Sequence, residues 1–307
     1  MFLNMKSNYY KGILLVFIGA FCFSTKGIFA KLAFRYGVTG LDILTLRMLF
    51  SLPFYIAIYF IQQKKHPVKI SKDTFLQILF LGIIGYYLAA LFDFLGLQFV
   101  SANLERVIIF TYPTFVLLLG FIFYKRNISR IQISAILLSY AGILIAFISD
   151  YKTASGSSIF LGVLYVLLSA LTYAFYLVRS DKLILQIGTA MFTCISMIIS
   201  CLAVLIHFGI VNHFSIFNYP LPVYLIGVCI AIISTVLPSF LMTAGIKYIG
   251  SSNMSIVASI GPVSTIFLSF YVLNEDVTFL HITGTVFVLA GILALTLFGG
   301  KMTNSEV

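Results

Sequence analysis

Ten apolar runs, each close to the length of a bilayer crossing, limit this chain more than any other feature. They are Gly12 to Ala30, Leu41 to Ile61, Phe75 to Leu97, Ala102 to Tyr124, Ile131 to Ile148, Phe160 to Val178, Ala190 to Phe208, Leu221 to Ala244, Asn253 to Leu273 and Leu280 to Phe298. A helix crosses the hydrocarbon core with about 20 apolar residues. No water is available there to satisfy backbone N–H and C=O groups, so helices or closed barrels are the only spanning forms. Runs of this length predict an all-α integral membrane protein. Composition agrees, with 61% hydrophobic and 9% charged residues and a mean hydropathy of +1.10, where a soluble domain has roughly a quarter charged residues.

Lys6 and Lys11 precede the first run as they would in a secretory signal. No A-x-A-like site follows, and Lys26 and Lys31 occupy the place of cleavage, so the run reads as a retained helix. Cys22, Cys194, Cys201 and Cys229 all fall inside apolar runs. They read as small buried hydrophobes without metal-ligand spacing.

Basic residues set the expected orientation. With the N-terminus in the cytoplasm, Lys6, Lys11, Lys64, Lys65, Lys69, Lys72, Lys125, Arg126, Arg130, Arg179, Lys182, Lys247 and Lys301 lie inside, against Lys31, Arg35 and Lys152 outside. Both termini are therefore expected in the cytoplasm of a bacterial-type inner membrane. The net charge of +10 reads as a topology signal and an attraction to anionic lipid. No basic stretch is long enough to suggest nucleic acid.

The chain also matches itself. An offset of 149 positions places GLQFVSAN from Gly96 on GIKYIGSS from Gly245, Pro113 on Pro262, Phe121 on Phe270, and AGIL from Ala141 on AGIL from Ala290. One offset serving successive features predicts two repeats, residues 1–150 and 151–307. Each holds five spans, an odd number, so the copies must be inverted in the membrane.

Five plus five spans, TYP from Thr111, GP from Gly261 and the two AGIL runs resemble the EamA-type branch of the drug/metabolite transporter superfamily. The resemblance covers nearly the whole chain, on a diffuse signature. It implies a secondary-active carrier working by alternating access through a central cavity of spans one, three, four, six, eight and nine. Its expected substrate is a small polar metabolite, an amino acid or related zwitterion or anion, with export the expected direction. A multidrug or lipophilic-cation exporter and a lipid-linked flippase are the alternatives the superfamily also contains.

Five formal charges lie well within spans: Lys26, Arg47, Asp93, Glu105 and Arg106. Under the expected topology all five fall in the outer half of the membrane. At ~1.5 Å rise per residue, Lys26 and Arg47 lie roughly 6 to 8 Å from the midplane and the others roughly 10 to 12 Å. Charges in spans cost about 2.5 to 3.5 kcal/mol at a helix centre, so they face the bundle interior and pair. Two acids and three bases leave a positive surplus, which favours a carboxylate, a phosphate or the anionic end of a zwitterion. Lys26 and Arg47 are the expected substrate contacts, Arg47 as a bidentate fork. Asp93, Glu105 and Arg106 are expected to gate, pairing as Asp93 with Arg106 and Glu105 with Lys26. A coupling proton on Asp93 or Glu105 is compatible with the same residues.

At the repeat offset, Glu105 and Arg106 become Met254 and Ser255, so the inner half is expected to be neutral. Ser252, Asn253, Ser255 and Ser259 on span nine would line it, with Tyr173 and Tyr176 on span six. Tyr86, Tyr87 and Tyr112 offer rings for a flat substrate. Pro113 and Pro262 each remove a backbone hydrogen bond and predict paired kinks. Gly142 and Gly291 would let spans five and ten pack closely, and a homodimer is left open. No H-E-x-x-H, G-x-S-x-G or Walker-type loop occurs. His66, His207, His213 and His281 are dispersed, so neither an enzyme nor a metal or cofactor site is expected. The partners are a small-molecule substrate and the lipid bilayer.

Overall fold

The computed structural model describes residues 2–125, 128–153, 158–212, 215–258 and 260–299. Among them there is helix and no strand. We number ten helical segments in chain order: α1 Phe2–Phe34, α2 Gly40–Lys65, α3 Lys72–Leu97, α4 Ala102–Tyr124, α5 Arg130–Thr153, α6 Ser158–Ile187, α7 Thr189–Asn212, α8 beginning at Leu221, α9 Ile260–Leu273 and α10 Phe279–Gly299. Eight segments are long and apolar enough to cross a membrane, and Ile260–Leu273 and Phe279–Ala294 are shorter apolar helices.

Local chemistry starts and stops these helices. Thr39 opens α2 with a capping box, its hydroxyl accepting from Asp42 N–H while the Asp42 carboxylate accepts from Thr39 N–H. Ser71 and Ser101 cap α3 and α4 with the hydroxyl alone, which accepts from the N–H of Thr74 and of Leu104. α4 ends at Lys125 (φ 52°) and α9 at Asn274 (φ 55°), both left-handed and both separated by the repeat offset.

The same offset relates two π-helical turns, Ile83–Leu88 inside α3 and Ile232–Val236 inside α8. Such turns rotate the side chains that follow and are frequent at functional sites. Gly85 lies in the first turn because the ring of Tyr176 presses directly on its Cα, where any Cβ would overlap it.

Packing between the halves is reciprocal. Gly245 of α8 lies against Val16 and Gly12 of α1, and Gly96 of α3 lies against Val166 and Gly162 of α6. Gly142 of α5 and Gly284 of α10 meet backbone to backbone. The small residues expected to let spans five and ten approach therefore bring them onto each other within this chain. Each half thus completes the other's core, as in an isologous contact.

One boundary differs from the sequence reading. The predicted gap between spans eight and nine is bridged by helix, since Leu237–Ala258 is continuous. In the first repeat the chain breaks where Ser101 caps a new helix. The matching position is Gly250, which has no side-chain oxygen with which to cap.

Candidate functional site

Residues 24 to 27 of α1 are held against helices of both repeats. Ser24 Oγ donates to the carbonyl of Gly261 on α9 (3.0 Å), and the hydroxyls of Thr25 and Ser234, in the π turn of α8, lie 2.6 Å apart. Gly27 leaves space beside the Glu105 carboxylate. Lys26 therefore enters an interior walled by helices of both repeats.

Its ammonium is the hub of the site. Lys26 Nζ donates to Asp93 Oδ2 on α3 and, at 3.1 Å, to Glu105 Oε1 on α4. Lys26 and Asp93 are each 4% exposed and Glu105 1%, so water screens little of this attraction. The expected pairing of Glu105 with Lys26 is present. The expected pairing of Asp93 with Arg106 is not, because Asp93 shares the same ammonium.

The two arginines are held differently. Arg106 Nε donates to Thr265 Oγ1 on α9 (3.1 Å), and its guanidinium lies over the ring of Phe23, 5.1 Å from the centroid. Arg47 Nε donates to Thr235 Oγ1 (2.8 Å), and its guanidinium lies over Phe94 at 5.5 Å. Adjacent positions on a helix point about 100° apart, which is why Glu105 turns to α1 while Arg106 turns to α9. Both guanidiniums are buried. Among the described residues, neither has a carboxylate within ion-pair distance, and Asp93 Oδ1 has no hydrogen-bond partner.

Arg47 reaches its partner through the π turn. Thr235 Oγ1 itself donates to the carbonyl of Ile230, five residues back, as the widened helix allows. The hydroxyl is thus fixed as an acceptor for Arg47. Neither Thr235 nor Thr265 stands out in the sequence, where they are two threonines in apolar spans. The repeat offset supplies the missed signal for Thr235, which falls on Tyr86 in the matching π turn.

Four of the five tyrosines singled out from the sequence come together. Tyr86 packs against Tyr176 (4.8 Å between centroids), Tyr176 against Tyr173 (6.0 Å), and Tyr173 against Tyr112 (5.4 Å). Tyr87 instead faces His207 on α7, its hydroxyl 3.0 Å from Nδ1. The side chains of Asn253, Ser255, Ser252 and Ser259 lie outside the described residues. Pro113 sits in the first turn of Tyr112–Tyr124, just after α4 breaks at Phe110 and Thr111, and Pro262 sits near the start of α9.

A cavity of about 330 Å³ opens at the opposite end of the bundle, between Gln62, His66, Gly188, Met191 and Thr243. It contains none of the charged residues. Among the described residues, no group of three or more His, Cys, Asp or Glu is placed to hold a metal.

The sequence model of the EamA-like transporter family matches this chain twice, over residues 10–148 and 160–297. The chain belongs to that family. Its EamA-like relatives include YcbK of Bacillus subtilis (strain 168), described as an uncharacterized transporter, at 31% identity over 94% of this chain and 95% of the relative. An uncharacterized transporter of Archaeoglobus fulgidus is 23% identical, covering 92% of this chain and 94% of its own length. A solved crystal structure shares the fold with a TM-score of 0.64 at 14% identity, covering 93% of this chain and 96% of the other. The protein is a multi-pass membrane transporter of the EamA type.

Proposed function

We propose that this transporter is a secondary-active, alternating-access exporter of a small polar metabolite, an amino acid or related zwitterion or anion. One observation carries the substrate class. A single ammonium, that of Lys26, engages both carboxylates, while Arg47 and Arg106 are buried with only threonine hydroxyls on Nε. Two buried guanidiniums that, among the described residues, have no carboxylate at ion-pair distance favour an anion, and an arginine fork takes a carboxylate bidentately. Asp93 Oδ1, which has no hydrogen-bond partner among the described residues, adds an acceptor for a substrate ammonium. The tyrosine row offers a wall for the rest of the molecule.

Alternating access follows from the reciprocal halves. Five crossing helices in each place the copies in opposite orientation, and rocking one against the other opens the two ends in turn. The excess of Lys and Arg in the connections at one face puts both termini in the cytoplasm and the charged layer in the outer half of the membrane. Lys26 then holds the two acidic helices α3 and α4 onto α1, and Arg47 makes the first substrate contact.

The test is thermal stability of the purified protein against amino acids, nucleosides, vitamins, sugar phosphates and lipophilic cations. A ligand at 100 times its dissociation constant adds ~2.7 kcal/mol to the folded state. Stabilisation by an anionic or zwitterionic compound that is lost in Arg47→Gln supports the reading. Stabilisation by lipophilic cations alone would overturn it.

A further inference from the structure

The two repeats pack differently at the two ends of the bundle. At the Lys26 end, α2 and α7 are tied together, because Asn212 Nδ2 donates to Asp42 Oδ1 (2.8 Å). Gly40, at the start of α2, lies so close to the carbonyl of Phe94 on α3 that a Cβ would overlap it. The repeat offset carries Asp42 to Met191, Asn212 to Gln63, Gly40 to Thr189 and Phe94 to Thr243.

None of these contacts is available at the opposite end. Met191 has no group to accept a hydrogen bond from an amide, and Gln63 turns to its own loop, bonding the carbonyl and the N–H of Val68 (3.1 and 3.4 Å). Thr189 carries a branched side chain where Gly40 has only hydrogen, so it cannot seat on its partner as closely. The helices part here, and the cavity of about 330 Å³ lies between the end of α2, the first turn of α7 and Thr243 of α8.

The cavity has two kinds of wall. Val68, Ile187 and Met191 make it apolar on one side, while Gln62, Thr189 and Thr243 bring polar groups. The apolar spans Gly40–Lys65 and Thr189–Asn212 meet it with their Lys65 and Thr189 ends, so it sits where hydrocarbon gives way to lipid headgroups. The bonds between Gln63 and Val68 close residues 63–68 into a loop beside it, and Lys64, Lys65 and Lys69 stand exposed on or next to that loop. Residues 62–72 contain no Asp or Glu, and among the described residues none lines the cavity.

We propose that this cavity binds one anionic phospholipid, its phosphate facing the lysines and its glycerol and first acyl carbons against Val68, Ile187 and Met191. Basic pockets between membrane helices take anionic headgroups. A zwitterionic headgroup brings a cation of its own to lysines that have no acid among them, and a free phosphate makes no use of the apolar wall. Charge and apolar contact together select an anionic lipid. The site needs only that these helices cross a bilayer, as in any member of the family, and does not depend on what is carried.

Native mass spectrometry of the purified protein in neutral detergent, titrated with phosphatidylglycerol, phosphatidylcholine or glycerol 3-phosphate, counts what is bound. The parent should hold a single phosphatidylglycerol about tenfold more tightly than phosphatidylcholine and no glycerol 3-phosphate at the same concentrations. Thr243→Phe, which repeats the residue at the matching Phe94, should fill the cavity and remove the preference with every lysine in place. Lys65→Gln with Lys69→Gln changes only exposed side chains, keeps the test open if Thr243→Phe does not fold, and should weaken phosphatidylglycerol about tenfold. Lys125→Gln with Arg130→Gln removes as much charge from exposed positions that do not line the cavity and should leave binding unchanged. Equal affinity for the two lipids, or an equal loss in the two charge-depleted proteins, would overturn the proposal in favour of a diffuse attraction to anionic surfaces. A folded Thr243→Phe protein that binds like the parent would overturn the cavity as the site. Glycerol 3-phosphate bound as tightly as the lipid would overturn the lipid as its occupant.

Discussion

Removing the charge of Lys26 should destabilise the protein more than any other single change in the membrane-buried layer. Lys26→Met keeps the length of the side chain and deletes the one cation that touches Asp93 and Glu105. Breaking a buried ion pair by removing one partner costs about 3–5 kcal/mol. Two carboxylates are stranded here, so the upper part of that range applies. Glu105→Gln leaves Lys26 bonded to Asp93 and removes only one charged hydrogen bond, about 1.5–3 kcal/mol. Lys26→Met made in the Glu105→Gln background strands a single carboxylate and should cost less than it does alone. The coupling between the two positions is then about 0.5–3 kcal/mol, the range for residues in direct contact. Reversible unfolding in mixed detergent micelles, followed by far-ultraviolet circular dichroism, measures all four proteins of the cycle. The reasoning fails if Lys26→Met unfolds like the parent, or if the two changes are additive. The sequence led to Lys26 as an expected substrate contact; the shared ammonium adds a role in stability.

Three further outcomes can be checked in the same system. Arg47→Lys keeps the charge but loses the planar fork and its bond to Thr235, so ligand affinity measured by thermal shift should fall about tenfold, or ~1.4 kcal/mol. Gly85→Ala puts a methyl group into the ring of Tyr176 and should cost about 1–3 kcal/mol by overpacking, visible as a lower melting temperature. Ser101→Ala removes the cap on Leu104 N–H and should cost ~1 kcal/mol, read as faster amide exchange in the first turn of α4.

Much of this architecture was legible because hydrophobic length and repeat spacing are one-dimensional properties. The run from Ala102 to Tyr124 coincides with a helical segment of the same bounds. The offset that matched Pro113 with Pro262 also relates the left-handed caps at Lys125 and Asn274 and the π turns at Ile83–Leu88 and Ile232–Val236. The π turns themselves were invisible, since Ile83–Leu88 reads as ordinary apolar helix. Burial of the five charges was predictable from the cost of exposing them to lipid. Their partners were not, because a choice such as Thr235 for Arg47 or Thr265 for Arg106 depends on how helices rotate against each other. Glu275, Asp150 and His281 were passed over for a different reason. They lie at or between segment ends, where a charge is cheap in sequence terms, and only the folded chain shows Asp150 and His281 buried together and Glu275 half-buried against the start of α4.

The most direct test of the central claim is counterflow in proteoliposomes. The lumen is loaded with the compound that best stabilises the purified protein, and uptake of labelled compound is compared for the parent and Arg47→Gln. The account predicts rapid exchange of an anionic or zwitterionic metabolite by the parent and its loss in Arg47→Gln. Exchange undiminished in Arg47→Gln, or exchange confined to lipophilic cations, would contradict it.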